Sequence, residues 1–134
     1  MGNYQAGQKE NFRLDLANVD LHRKNLSSMR LVDADLTIAD LADAILIHTD
    51  LTGADLNSAD LTGAYLVRAD LTGARLGADL TGAFLAEADL RGAYLIDADL
   101  QDADLRGADL RGIQGTTVET VKRVAKTDAK TRFA

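Results

Sequence analysis

The sequence contains no cysteine, no proline and no tryptophan, and aromatic residues make up only 4% of it. Without cysteine there is no disulfide, no thiol nucleophile and no thiolate ligand, which fits a reducing compartment. Without proline, any tight turns must be built by other residues. With 46% apolar residues and so few aromatics, the apolar content is mostly Ala and Leu. That suits a thin, regular interior better than an irregular one. The opening stretch MGNYQAGQKENF has no apolar run, so neither a signal peptide nor a membrane span is expected, and a cytoplasmic location is. Met1-Gly2 hints at myristoylation, but Ala6 stands where the motif needs Ser or Thr. Basic charge is scarce in the middle of the chain: residues 14–112 hold 18 acidic against 8 basic side chains, a net of −10, within an overall −6. Residues 1–13 carry +1 and residues 113–134 carry +3. Direct nucleic-acid binding by the acidic middle is therefore not expected.

What the chain does have is a beat. At 134 residues it is one domain by length, and a leucine recurs every fifth residue from Leu16 to Leu76 and again from Leu80 to Leu110. One residue is skipped, at Gly77. Two places before each leucine stands a small residue; from Ala34 to Ala108 it is Ala everywhere except Thr49. The residue between is usually Asp. A five-residue period is neither the helix period of 3.6 nor the strand alternation of 2. Locally, Ala-Asp-Leu points in, out and in, as a short strand does. The next two residues must then turn the chain so that the following Ala points inward again.

The corner residues fit that reading. LTGA occurs at 51–54, 61–64, 71–74 and 80–83, and LRGA at 90–93 and 105–108. Glycine at the third turn position is what a type II turn asks for, because φ is positive there. Units with Asp33, Asp43, His48, Arg68 or Glu87 in that place are expected to turn without that demand. Four corners close a square, so one circuit takes 20 residues and the 20 leucine units make five coils. Parallel rungs spaced by about 4.8 Å make a body about 24 Å tall. An amphipathic helix array is the rival, and frequent Gly and Asp argue against it.

With its repeated Ala-Asp-Leu-x-x units, the chain resembles the pentapeptide-repeat proteins, numerous in cyanobacteria, across residues 14–112. The resemblance implies an all-β fold, a right-handed quadrilateral β-helix. The first coil departs from the pattern, with Leu14, Val19, Lys24 and Met29 in the small-residue place. It reads as a wider terminal coil, and Lys24 as its least comfortable inward residue. The skip at Gly77 reads as a tightened corner, either a tolerated defect or a deliberate kink. NFRLDL at 11–16 is a candidate second four-residue step, with Phe12 inward.

Both ends of such a stack expose strand edges. Residues 1–13 are expected to cover the first. In residues 113–134, Thr116-x-x-Glu119 forms a capping box, Val118, Val121 and Ala125 share one helical face with Val124 beside it, and Lys122, Arg123 and Lys126 face outward. This is a short C-terminal capping helix or, alternatively, a dimerisation helix; residues 127–134 are expected to be a loose tail.

The square also sorts the outer residues. The second face carries Asp20, Asp40, Asp60, Asp79 and Asp99, an acidic ladder. Neighbouring carboxylates about 5 Å apart repel by roughly 1 kcal/mol even in water, so each is expected to accept a backbone N–H near its corner. The first face carries Asp15, Asp35, Asp55, Arg75 and Tyr94, and the fourth Arg30, Asp50, Asp70, Asp89 and Asp109. The third face differs. Ile45, Ile47, Tyr65, Val67, Phe84 and Ala86 should form one apolar patch of about 300 Å², either a ladder that only stiffens the sheet or a surface for a protein partner or self-association.

No residue set suggests catalysis. His22 and His48 fall on different faces, and Ser27, Ser28 and Ser58 have no base nearby. There is no phosphate loop, and the GGxGxD nonapeptide of calcium β-rolls is absent, so neither a cofactor nor a metal is expected. The expectation is a rigid, non-enzymatic solenoid presenting flat faces to protein. The alternative comes from the resemblance: some pentapeptide-repeat proteins protect DNA gyrase, a type II topoisomerase, by mimicking DNA. The acidic ladders are compatible with such a mimic, but the role implies longer, dimeric rods.

Overall fold

The computed structural model describes residues 13–134. Leu14 to Gly112 wind through five coils: 14–33, 34–53, 54–73, 74–92 and 93–112. Each leucine corner from Leu16 to Leu110, Leu76 excepted, is closed by a hydrogen bond from the N–H three residues on to the leucine carbonyl, as in Ala54 to Leu51 at 3.0 Å. Neighbouring coils then share three bonds per unit. The leucine N–H donates forward (Leu36 to Asp55 O, 2.8 Å), the residue before it donates back (Asp55 to Ala34 O, 2.9 Å), and the third corner residue donates forward again (Asp33 to Thr52 O, 2.9 Å).

These bonds make four ladders of single-residue parallel bridges, one per face. They join Asp15, Asp35, Asp55, Arg75 and Tyr94; Asp20, Asp40, Asp60, Asp79 and Asp99; Asn25, Ile45, Tyr65, Phe84 and Asp104; and Arg30, Asp50, Asp70, Asp89 and Asp109. Across the skip the step shortens, from Asp40↔Asp60 to Asp60↔Asp79. The interior is two kinds of column. Leu31 to Leu110 and the alanines two places before them are buried, nearly all at 0–3% exposure, with Ala98 half-buried, and a buried leucine contributes about 1.5–3 kcal/mol. Thr49 fits among the alanines because its hydroxyl donates to the Leu26 carbonyl at 2.8 Å.

The corners correct one expectation. Asp33, Asp43, His48, Arg68 and Glu87 stand at φ between +56° and +59°, alongside the glycines. Even Ile38 has φ +61°, a conformation that β-branched residues rarely adopt. The forward bond from the third corner residue is the reason. It fixes the direction of that N–H wherever a full coil lies ahead, so the stack sets the turn whatever the side chain. Asp97, with no such bond among the described residues, keeps the turn at φ +64° with its own corner closed by Ala98 donating to Leu95 O at 3.1 Å.

The ends bring three further corrections. In the first coil, Leu14, Val19, Lys24 and Met29 hold the inward register but are exposed rather than buried, since no described coil lies above them. At the other end the helix is α1, Val118–Val124, and its cap is Thr117, whose hydroxyl accepts from the Thr120 N–H, not Thr116. Gln114 still pairs with Tyr94, and the chain bends at Gly115 and Thr116 before the helix begins. Residues 127–134 are not loose. Arg132 pairs with Asp109, Leu110 donates to Arg132 O at 2.7 Å, and the Thr131 hydroxyl donates to Leu105 O at 2.9 Å. With Lys126 paired to Asp104, the segment from Gln114 onward is an incomplete sixth coil. Within it Val121 is wholly buried, and Val124, Ala125 and Phe133 pack on the core. The helix therefore caps the stack. Lys122 and Arg123 are exposed, as expected, and Lys126 lies beyond the helix, exposed in the last rung. Phe12 lies outside the described residues; from the expected N-terminal cap only Arg13 is described, 3.6 Å from the Asp55 carboxylate.

Candidate functional site

The third face places its six apolar residues on three adjacent rungs. Ile45, Tyr65 and Phe84 are consecutive in one ladder. The Tyr65 and Phe84 rings stack with centroids 4.9 Å apart and planes 7° from parallel. Both are 41% exposed, whereas Ile45, Ile47, Val67 and Ala86 are half-buried beside them. Charged pairs border the patch. Arg68 Nε donates to Glu87 at 2.9 Å at the corner, and Arg106 forks onto Asp104 one rung beyond Phe84. The stack thus offers two flat ring edges and an aliphatic floor inside a polar frame.

The acidic ladders are internally satisfied. Every described Asp or Asn that precedes a leucine, from Asp15 to Asp109, accepts the N–H of the residue two places on at 2.9–3.2 Å. This is the local offset that the repulsion between rungs requires. Thr37 and Thr52 add hydroxyl bonds, which hold Asp35 and Asp50 below the usual carboxylate value. On the fourth face Arg91 and Arg111 fork onto Asp89 and Asp109. The bond from Arg111 is the main reason the Asp109 carboxyl drops to about 2.

On the second face the exposed His22 ring lies 2.5 Å from Asp20, and one ligand atom each of Asp20, His22 and Asp40 lie within 4.8 Å of one another. Five-residue counting had separated the two histidines but gave no sign of this contact, which arises because the corner turns His22 back over its own Asp. The skip also makes something the repeat does not announce. Between the first and second faces a notch is lined by Asn57, Ser58, Arg75, Gly77, Tyr94, Ile96 and Asp97. Its only signal in the sequence is the missing residue. Among the described residues, no helix is long and apolar enough to cross a membrane.

The comparisons with known proteins agree with this geometry. A family model described as "Pentapeptide repeats (8 copies)" matches residues 39–76 and 77–112, two stretches that meet at the skip. The chain belongs to the pentapeptide-repeat family. Its fold is the right-handed quadrilateral β-helix of that family. Among solved structures it is similar to Rfr23 of the cyanobacterium Cyanothece 51142, at 27% identity and a TM-score of 0.44 over 90% of this chain and 91% of that one. It is similar to HetL, a pentapeptide repeat protein involved in heterocyst differentiation regulation in Nostoc sp. strain PCC 7120, at 28% identity and a TM-score of 0.46 over 96% and 76%. A trypsin-treated form of QnrB1, a plasmid-mediated fluoroquinolone resistance protein, shares the fold at 17% identity and a TM-score of 0.54 over 90% and 77%. No curated protein matches the chain.

Proposed function

We propose that this pentapeptide-repeat protein is a non-enzymatic, cytoplasmic scaffold whose third face docks a protein partner. One observation carries the reading. Tyr65 and Phe84 hold an ordered, half-exposed aromatic stack on a surface whose ladders are mostly acidic. Rigid aromatic side chains already held in place lose little conformational entropy on binding, and they are enriched where interfaces have their strongest contacts. Ile45, Ile47, Val67 and Ala86 supply the apolar floor, and the Arg68–Glu87 and Arg106–Asp104 pairs supply a polar rim. A patch of about 300 Å² is well below the roughly 800 Å² that each partner buries in a standard interface, so the third face is the centre of a larger contact or a transient one.

The test is the Tyr65→Lys, Phe84→Lys double variant, read by light scattering and by co-purification from the native organism. The patch reading expects unchanged circular dichroism with loss of either a wild-type oligomer or a wild-type partner. An unaltered oligomeric state together with an unaltered set of partners would remove it. The acidic ladder Asp20, Asp40, Asp60, Asp79 and Asp99 supports a second reading, a DNA mimic acting on a type II topoisomerase. A gyrase supercoiling assay separates the two: the scaffold reading expects neither inhibition nor drug protection at excess protein.

A further inference from the structure

The corner between the first and second faces is a column of turns, and in it a run of hydrogen bonds is broken. Asn18 donates to the Thr37 carbonyl at 2.8 Å, Ile38 to Asn57 at 3.1 Å and Ser58 to Gly77 at 2.8 Å. The next donor would be the third corner residue after Leu76, and that is the residue the chain skips. The Ile96 carbonyl is left without a hydrogen-bond donor among the described residues. A notch of about 410 Å³ opens at this point.

Gly77 keeps the notch open. A Cβ at that position would stand 2.6 Å from the Asn57 amide oxygen and 2.8 Å from the Ile96 carbonyl oxygen. On one side of the notch lie Tyr94, 41% exposed, and Ile96, 61% exposed. On the other it runs into a depression lined by Asp60, Asp79, Asp97 and Asp99. Arg75 also lines the notch, with its guanidinium 3.7 Å from the Asp55 carboxylate.

The chemistry of the lining selects the occupant. An unpartnered carbonyl asks for an N–H. The adjoining carboxylates favour a cation, which keeps both partners hydrogen-bonded. An aromatic face beside them attracts a cation further, and a planar, weakly hydrated guanidinium stacks there better than an ammonium does. Ile96 gives the aliphatic stem a surface to cover. We propose that the notch receives an arginine side chain of a partner protein, with its guanidinium against Tyr94 and its N–H groups shared between the Ile96 carbonyl and the Asp97 carboxylate. The skipped residue is then the feature that creates the site. The inference is independent of the third face, which lies elsewhere on the square.

The experiment is a titration of the full chain with ethylguanidinium, followed by amide chemical shifts, with ethylammonium as comparator. Saturable shifts are expected at Asn57, Gly77, Ile96 and Asp97, with ethylammonium about tenfold weaker. Inserting one glycine between Gly77 and Ala78 restores the five-residue count and supplies the missing N–H. That variant is expected to keep its melting temperature and lose the shifts. Should it fail to fold, Asp97→Asn and Tyr94→Ala decide, each expected to weaken binding about tenfold. Shifts spread evenly along the Asp20–Asp99 ladder, or binding undiminished in the folded insertion variant or in both single variants, would overturn the proposal.

Discussion

The first coil and the third run the same four ladders, yet they treat equivalent residues in opposite ways. In the third coil Ala54, Ala59, Ala64 and Ala69 are 0–2% exposed and the leucines beside them are wholly buried. In the first coil Leu14, Val19, Lys24 and Met29 fill the same places and are exposed, and Leu16, Leu21 and Leu26 are only half-buried. The corner bonds and ladder bonds are nevertheless present in both. Backbone register is therefore set coil by coil through the turns, whereas burial is supplied by the coils on either side. A repeat protein of this kind draws its stability from nearest-neighbour interfaces.

The contrast is sharpest on the third face, where Leu26 and Leu66 occupy the same column. Leu66→Ala should cost about 3–5 kcal/mol and Leu26→Ala about 1 kcal/mol, because only the first leaves a closed cavity. Urea denaturation measures both, and equal losses would break the comparison. The two ends extend it. Val121→Asp buries a charge under the cap and should cost about 3 kcal/mol, while Val19→Asp at the exposed first coil should change melting by little. Two corners sharpen the claim that the turn is imposed from outside. Ile38→Gly relieves a strained φ and should stabilise by about 1 kcal/mol. Gly73→Ala meets no atom within 4 Å, so its cost of about 1 kcal/mol is purely conformational.

Acid pH tests the ladders themselves. The Asp109 carboxyl lies at about 2 when folded, below its ordinary 3.8. A depressed carboxyl contributes stability above its ordinary value and loses it as pH falls through the folded value. Thermal melts should therefore level off above about pH 5 and decline as pH falls from there through about 2, and Asp109→Asn should flatten that decline. An identical acid profile in the variant would show that Asp109 is not among the groups responsible.

The leucine beat and the alternating Ala place the ladders, the core columns and the run Ile45, Tyr65, Phe84 in one ladder, because each depends only on counting. What counting could not reach was anything decided between coils. The positive φ of Asp33 and Ile38 comes from a bond to the next coil, not from the side chain. The ordered tail comes from Arg132 finding the free edge beside Asp109. The His22–Asp20 contact and the notch at Gly77 are likewise products of stacking, and the second left only a missing residue as its trace.

The central claim is that the backbone returns to the same face every 20 residues and, across Gly77, after 19. Through-hydrogen-bond couplings between amide nitrogens and carbonyl carbons test it directly. The account predicts correlations from Leu46 N to the Tyr65 carbonyl and from Leu66 N to the Phe84 carbonyl, the partners at 2.7 Å on either side of the register change. A Leu66 correlation to the Leu85 carbonyl instead, or none for either leucine, would contradict it.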